Sequence, residues 1–295
     1  MSEQKLPRQQ QEYPGSAEAM DPQPHDQMAG YEGRDLLRGR RALVTGGDSG
    51  IGRAVAVAFA KEGADVAVAY LSEDDDARRT AKLVEEAGGR CVLIRGDLSA
   101  EEACSAAVDR TVSELGGLDI LVNNVAYQHP VDAPEDITTQ QWERTFRTNI
   151  FSYFWVTRAA LAHLPRGGAI INTGSINGLR GNKALIDYAA TKGAVHAFTY
   201  SMAQALVDRQ IRVNCVAPGP VWTPLIPSTM PPEKVESFGG PGAHAAGGAT
   251  GRDRALLRVL RLGAPVQLLL GRDPRPDRRR DTPRLIGVAA VSRGR

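Results

Sequence analysis

The chain has few cysteines and no long apolar run. Its three cysteines, Cys91, Cys104 and Cys215, are far apart and show no CxxC or histidine spacing typical of a zinc site. We interpret these thiols as small core residues in a reducing compartment, with neither a disulfide nor a metal site. No stretch is apolar enough to span a bilayer, and no apolar secretory signal is visible near the N-terminus. We therefore expect a cytoplasmic protein that does not bind membranes.

The chain also has no large excess of positive or negative charge, because the net charge of its 295 residues is only +2. This balance does not favour nucleic acid or a membrane surface as a partner. Residues 1–38 are polar, contain scattered proline and glycine, and have no apolar period. We interpret them as a flexible or surface-draped N-terminal arm that precedes the folded domain.

From Arg40 onward, short apolar segments alternate with helical patterns. Helices are predicted at Ile51–Glu62, Ala100–Leu115 and Thr139–Leu164, and a further one is predicted to end near Asp208. The predicted strands are Arg41–Thr45, Asp65–Tyr70, Cys91–Arg95, Leu118–Val122, Ala169–Thr173 and Ile211–Val216. Strands that are apolar on both faces, each followed by a helix, are typical of a parallel sheet covered on both sides. The pattern predicts an α/β fold over residues 39–238, a single doubly wound Rossmann-type parallel sheet with helices on both faces.

Tyr188 and Lys192 are separated by four residues on a predicted helix, which places them on one face. A nearby ammonium favours the phenolate and lowers a tyrosine pKa, so Tyr188 is a candidate general acid/base. Ser175 follows an apolar strand, and a hydroxyl at this end of a strand points into the ligand crevice of an open α/β sheet. The YxxxK pattern alone is common, and an exposed tyrosine beside a solvated lysine is its alternative interpretation.

A glycine-rich loop, residues 45–52 with the sequence TGGDSGIG, joins the first predicted strand to the first long helix. Gly46 suits a tight turn, Gly50 a close approach of the backbone to a ligand, and Gly52 close packing of the helix on the sheet. The helix N-terminus would then face a pyrophosphate. The position of the loop in the alternation predicts a dinucleotide site rather than an ordinary turn.

Taken together, these residues resemble the short-chain dehydrogenase/reductase family, from about Leu36 to Phe238. Motifs that agree in order are the TGxxxGIG loop, Gly96-Asp97-Leu98, Leu121-Val122-Asn123-Asn124, Asn149, Ser175, Tyr188-xxx-Lys192 and Pro218-Gly219. The proline-rich arm, the GGDSGIG loop and the segment that begins at Trp222 look more narrowly like a bacterial branch of general stress proteins and NADP-dependent aldehyde reductases.

The resemblance implies an oxidoreductase that moves a hydride between NAD(P)(H) and a carbonyl or alcohol substrate. Tyr188 would be the acid/base, Ser175 would bind the reacting oxygen, Lys192 would lower the Tyr188 pKa and bind the nicotinamide ribose, and Asn149 would anchor a water that relays protons. Residues implied in binding the cofactor are Gly46, Asp48, Ser49, Gly50, Ile51, Gly52, Tyr70, Asp97, Leu98, Asn123, Ala126, Tyr188, Lys192, Pro218, Gly219, Val221 and Thr223.

Other functions and partners remain open at this point. The alternatives are an epimerase-type enzyme on the same scaffold, and a protein that binds the cofactor but is inactive. The family usually forms homo-tetramers or dimers, so the same is expected here unless the unusual tail prevents it.

The cofactor is NADP or NAD, with NADP slightly favoured. The second predicted strand ends at Tyr70-Leu71-Ser72, without the acidic residue that would bind the 2′-hydroxyl of NAD. Arg53 is the nearest candidate for binding a 2′-phosphate, although it could instead be exposed on the first helix.

After Phe238 the composition changes abruptly, because the chain contains no further Lys, Phe, Tyr, Trp, Glu or Asn. We interpret residues 239–295 as an out-of-frame tail produced by a frameshift near residues 239–243. The codons for Ala249 to Val259, read one base later, allow QPAEIAPSYVF, and those for Val266 to Arg280 allow SSYFSGEILAPTGGE. Both strings resemble the C-terminus of the family. A basic tail for nucleic acid is the alternative. A frameshift would remove the last strand and expose a sheet edge.

Overall fold

A computed structural model of the chain describes residues 6–238 and the strand Leu268–Leu270. The frameshift hypothesis concerns residues that lie outside these described ranges, apart from that strand.

In the described part of the chain, seven parallel strands form one sheet in the order β3-β2-β1-β4-β5-β6-β7. The strand order reverses between β1 and β4, and ligands of open α/β sheets bind at this position beyond the carboxyl ends of the strands. The strands are β1 Arg41–Thr45, β2 Asp65–Tyr70, β3 Cys91–Arg95, β4 Ile120–Asn123, β5 Ala169–Thr173, β6 Arg212–Ala217 and β7 Leu268–Leu270.

Helices connect the strands and cover both faces of the sheet. They are α1 Gly50–Lys61, α2 Asp74–Glu86, α3 Glu101–Leu115, α4 Thr139–Phe146, α5 Ser152–Ala160, α6 Asn177–Arg180, α7 Ile186–Ala205, α8 Leu225–Thr229 and α9 Pro232–Glu236. The doubly wound Rossmann-type α/β fold predicted from the sequence is confirmed.

Two apolar cores lie on opposite faces of the sheet, because successive strand residues point in opposite directions. On β1, Val44 packs with residues of α1 and α2, whereas its neighbour Leu43 packs with residues of α3, α5 and α7. Both side chains are fully buried. The two layers hold the carboxyl ends of the strands in a fixed arrangement around the crevice.

The helix predicted at Thr139–Leu164 is interrupted. A π-helical turn, Arg147–Phe151, separates α4 from α5, and α5 ends at Ala160. Such turns are frequent at functional sites. Asn149 lies inside this turn, so the interruption falls at one of the predicted catalytic residues.

We expected the tail to leave the edge of the sheet unpaired, and the pairing of β7 contradicts this expectation. Leu268–Leu270 pairs in parallel with Cys215–Ala217 of β6. The edge of β6 is therefore covered at these three residues.

The described part of the N-terminal arm, residues 6–38, contains no helix or strand and lies against the α/β domain. The backbone N–H of Gln11 donates to Pro227 O at 2.9 Å, and that of Leu37 donates to Glu62 O at 2.9 Å. Five of its apolar side chains are buried: Leu6, Ala17, Met20, Met28 and Leu37. This part of the arm is attached to the domain along its length rather than projecting from it.

Candidate active site

A cleft of about 350 Å³ opens at the carboxyl ends of the parallel strands. The structure brings most of the predicted site residues together along its walls. These are Gly46, Asp48, Ser49, Gly50, Ile51, Tyr70, Asp97, Leu98, Ala126, Ser175, Tyr188, Lys192, Pro218, Gly219, Val221 and Thr223.

The glycine-rich loop has the backbone shape that a dinucleotide requires. Gly46 and Gly50 have φ angles of +60° and +52°, in the left-handed region that favours glycine. A Cβ on Gly52 would lie 1.9 Å from Gly46 O, so only glycine permits the loop to pack against the start of α1. The twelve-residue helix α1 begins at Gly50, and the positive end of its dipole suits an anionic pyrophosphate. The residues present therefore fit the predicted cofactor.

Tyr188 lies near the start of α7, and it is buried at the base of the cleft beside Ser175. Burial raises the pKa of Tyr188 above its usual value, and a hydrogen bond with Ser175 opposes this rise. The expectation of a lowered pKa is therefore wrong, because burial outweighs the effects that lower it. The sequence shows the Tyr–Lys spacing, but it does not show how strongly burial disfavours the phenolate.

Lys192 is fully buried one turn further along α7. Its Nζ donates to Thr173 O at 2.7 Å and to the Tyr153 hydroxyl at 3.4 Å. Burial lowers the pKa of Lys192 to about 8, so the amine still carries its charge at neutral pH. The ammonium is 5.6 Å from the Tyr188 ring centre.

Asn149 is fully buried and is not among the residues that line the cleft. Its Oδ1 accepts from Tyr127 N at 2.7 Å, and its Nδ2 donates to Tyr127 O at 2.8 Å and to Thr191 Oγ1 at 3.1 Å. The side chain thus fixes the segment after β4 against α7, next to Lys192. The Asn149 amide therefore holds Tyr127 and Thr191 in position, and its role in anchoring a proton-relaying water stays a prediction.

The prediction that Asn123 lies beside the cofactor is wrong, because this residue does not line the cleft. It is fully buried and donates to Thr157 Oγ1 and Asn172 Oδ1. The next residue, Asn124, lines the cleft and donates to Gly46 O at 2.9 Å. Adjacent residues at a strand end point to opposite faces, so a shift of one position exchanges the buried and the cleft-facing asparagine.

Arg53 is neither exposed nor available to a 2′-phosphate. It is buried in α1 and donates to Asp48 O at 2.8 Å, to Asp76 Oδ1 at 2.8 Å and to Thr80 Oγ1 at 2.9 Å. It also forms an ion pair with Asp26 of the N-terminal arm at 3.4 Å. This network supports the glycine-rich loop from behind.

Several residues of the cleft carried no recognisable signal in the sequence. Tyr13 comes from the arm, Gln128 from the segment after β4, and Arg144 and Thr148 from the interrupted helix.

In the glycine-rich loop, burial raises the pKa of Asp48 to about 6, which places an easily titrated carboxyl at the nucleotide end of the cleft.

No group of three or more potential metal ligands occurs among the described residues, and their three cysteines are free thiols. Within the same ranges, no helix has the length and hydropathy required to cross a membrane.

Comparisons with known proteins agree with this geometry. A profile of the short chain dehydrogenase family matches residues 40–234. The chain is 57% identical over 235 residues to General stress protein 39 of Bacillus subtilis, covering 79% of this chain and 82% of the relative. It is 46% identical over 238 residues to NADPH-dependent aldehyde reductase 1, chloroplastic, of Arabidopsis thaliana, covering 79% and 83%.

A solved structure shows the same architecture. The short chain dehydrogenase from Burkholderia cenocepacia in complex with NADP superposes with a TM-score of 0.71 at 31% identity, covering 80% of this chain and 97% of the other. The chain therefore belongs to the short-chain dehydrogenase/reductase family and is an NAD(P)-dependent oxidoreductase.

Proposed function

We propose that this oxidoreductase interconverts a carbonyl and an alcohol, preferentially reducing aldehydes or ketones, with Tyr188 as the general acid/base. The observation that carries the proposal is the hydrogen-bonded pair of Ser175 and Tyr188 in the cleft, with the buried Lys192 ammonium behind the tyrosine ring. The pair offers two hydroxyl groups to one reacting oxygen.

The cofactor supplies the hydride when bound, and the residues of the chain orient the substrate and move the proton. In reduction, the Tyr188 hydroxyl donates its proton to the carbonyl oxygen, while the Ser175 hydroxyl donates a hydrogen bond to the same oxygen. The raised pKa of Tyr188 keeps this proton in place at neutral pH. The Lys192 charge stabilises the phenolate left after transfer.

NADP is the preferred cofactor in this proposal. The end of β2, Tyr70-Leu71-Ser72, carries no acid to bind a 2′-hydroxyl. The Arabidopsis relative is named for NADPH, and the Burkholderia structure contains NADP. The Asp48 carboxyl lines the same end of the cleft and opposes a 2′-phosphate when ionised. Titration with NADPH and NADH, compared over pH, tests the preference; tighter binding of NADH throughout would contradict it.

An aldehyde is the proposed substrate class because the Arabidopsis relative is an aldehyde reductase by name. A panel of aldehydes and ketones with NADPH, and of the matching alcohols with NADP, tests the function by the change in nicotinamide absorbance. We expect turnover of at least one aldehyde. Cofactor binding without turnover of any member of a broad panel would instead identify a protein that binds NADP(H) but is inactive.

Assembly into a homo-oligomer is part of the same proposal. Phe151 and Phe154, at the π-helical turn and the start of α5, are 42% and 46% exposed, and such neighbouring apolar groups favour association. Sedimentation analysis tests the assembly, and a monomer at working concentration would contradict it.

A further inference from the structure

One aromatic residue of the N-terminal arm lies inside the cleft. The Tyr13 hydroxyl donates to Ala126 O at 3.1 Å, and its ring meets Tyr127 edge-on at a centroid distance of 5.1 Å. The Arg144 guanidinium is 4.2 Å from the Tyr127 ring centre and 5.2 Å from that of Tyr13. These contacts join the arm, the segment after β4 and α4 in one cluster at the edge of the cleft.

The cluster belongs to the nucleotide end of the cleft. Ala126 follows Val125, and Val125 packs closely against the glycine-rich loop. A Cβ added to Gly46 of that loop would lie only 3.1 Å from Val125 Cα. The carboxylates of Asp48 and Asp97 are close enough to contribute to the raised pKa of the Tyr13 hydroxyl, although burial is the larger cause. Asp48 belongs to the loop, Asp97 follows β3, and both line the same cleft as Tyr13.

The arm is fixed by two contacts that follow Tyr13 in the chain. The carboxylate of Asp26 accepts a hydrogen bond from Gly50 N at 2.9 Å, at the start of α1. On the opposite wall, Trp222 Nε1 donates to Pro22 O at 2.7 Å. The arm thus bridges the glycine-rich loop and the segment that follows β6, and this bridge holds Tyr13 in place before any ligand arrives.

We propose that Tyr13 is a nucleotide-binding residue that covers the adenosine half of the cofactor, together with Tyr127 and Arg144. Its hydroxyl donates to a ribose or phosphate oxygen of the dinucleotide in place of Ala126 O. The two rings and the guanidinium form an aromatic and cationic surface that suits a purine base. Among the ion pairs of the described residues, none involves Arg144, so its charge is available to the phosphates.

The inference rests on cofactor binding by the whole enzyme and is tested by direct titration of the full chain. NADPH fluorescence gives the dissociation constant for the native chain and for Tyr13→Ala, Tyr13→Phe and Tyr31→Phe. Tyr31→Phe is the matched control, because Tyr31 is an arm tyrosine whose hydroxyl donates to Glu62 and which is not among the described cleft residues. Thermal unfolding shows that each variant is folded.

We expect Tyr13→Ala to raise the NADPH dissociation constant about tenfold and Tyr13→Phe about threefold, since the second variant loses only a hydrogen bond. Tyr31→Phe should stay within about twofold of native. If Tyr13→Ala does not fold, the result for Tyr13→Phe decides. Unchanged or tighter binding in folded Tyr13 variants would overturn the inference, as would a rise confined to the aldehyde KM. If the native chain binds neither NADPH nor NADH, the inference fails together with the proposed function.

Discussion

Lys192 lies behind Tyr188, with its Nζ 5.6 Å from the centre of the tyrosine ring and a 2.7 Å hydrogen bond to Thr173 O. Thr173, at the end of β5, therefore fixes the position of the lysine beside the tyrosine. Because burial raises the pKa of Tyr188, the cleft keeps this phenol protonated before the cofactor binds. This arrangement suits proton donation to a carbonyl oxygen.

Ser175→Ala should reduce turnover about a hundredfold, as expected for the loss of one hydrogen-bond donor to the reacting oxygen. The hydrogen bond with Ser175 lowers the Tyr188 pKa, so its removal raises that pKa further. In alcohol oxidation, which requires the phenolate, the acidic limb of the pH–rate profile should therefore move to higher pH. A limb that stays in place or moves to lower pH would show that Ser175 does not act on Tyr188.

Asp48→Asn should make the protein more stable at neutral pH. Burial raises the pKa of Asp48 from 3.8 to about 6, so the folded chain binds this proton more tightly than the unfolded chain. The carboxyl therefore makes the free energy of unfolding fall as pH rises through this window. We expect the variant to gain about 3 kcal/mol at about pH 7 and little at about pH 4.

Denaturant unfolding at both pH values measures this difference. Equal effects at the two pH values would contradict the assigned titration, because a purely structural effect of the substitution does not depend on the charge of Asp48.

Arg53→Met should lower the free energy of unfolding by about 3 to 5 kcal/mol, since it leaves two buried carboxylates without their cation. Both partners, Asp26 and Asp76, have side chains only 5% exposed. Arg78→Met is the matched control, because it removes an exposed arginine that pairs with Asp75 on α2. The control should lose no more than about 0.5 kcal/mol. Denaturant unfolding that gives similar losses for both variants would show that the buried network contributes little.

The gene should show the reading frame change proposed for the tail. We expect the codons of residues 249–259, read one base later, to encode QPAEIAPSYVF or a close variant. Sequencing of this region tests the prediction directly. Codons whose shifted reading gives an unrelated string would contradict the frameshift.

Strand positions and most cleft residues could be predicted, because they depend on local patterns. Parallel strands buried on both faces produce continuous apolar runs, and this made β1, β2, β3 and β5 predictable to the residue. The glycine-rich loop was predictable because left-handed φ angles and close approaches admit only glycine at particular positions.

Other features depend on tertiary contacts that no local pattern records. Arg53 has the sequence context of a surface helix residue, yet Asp26 from the distant arm and Asp76 from α2 enclose it. Asn123 and Asn124 could not be distinguished, since their roles depend on which face of the strand end each one occupies. The arm places single apolar residues and Tyr13 against the domain without any period that a sequence pattern could detect.

The most direct test of the proposed chemistry is the effect of Tyr188→Phe on turnover and cofactor binding, measured together on the full chain. We expect aldehyde reduction to fall at least about a thousandfold, because the proton donor is lost while the ring remains. The NADPH dissociation constant should stay within about threefold of native, since Lys192 and the glycine-rich loop are untouched. Turnover close to native in this variant would contradict the assignment of Tyr188 as the acid/base.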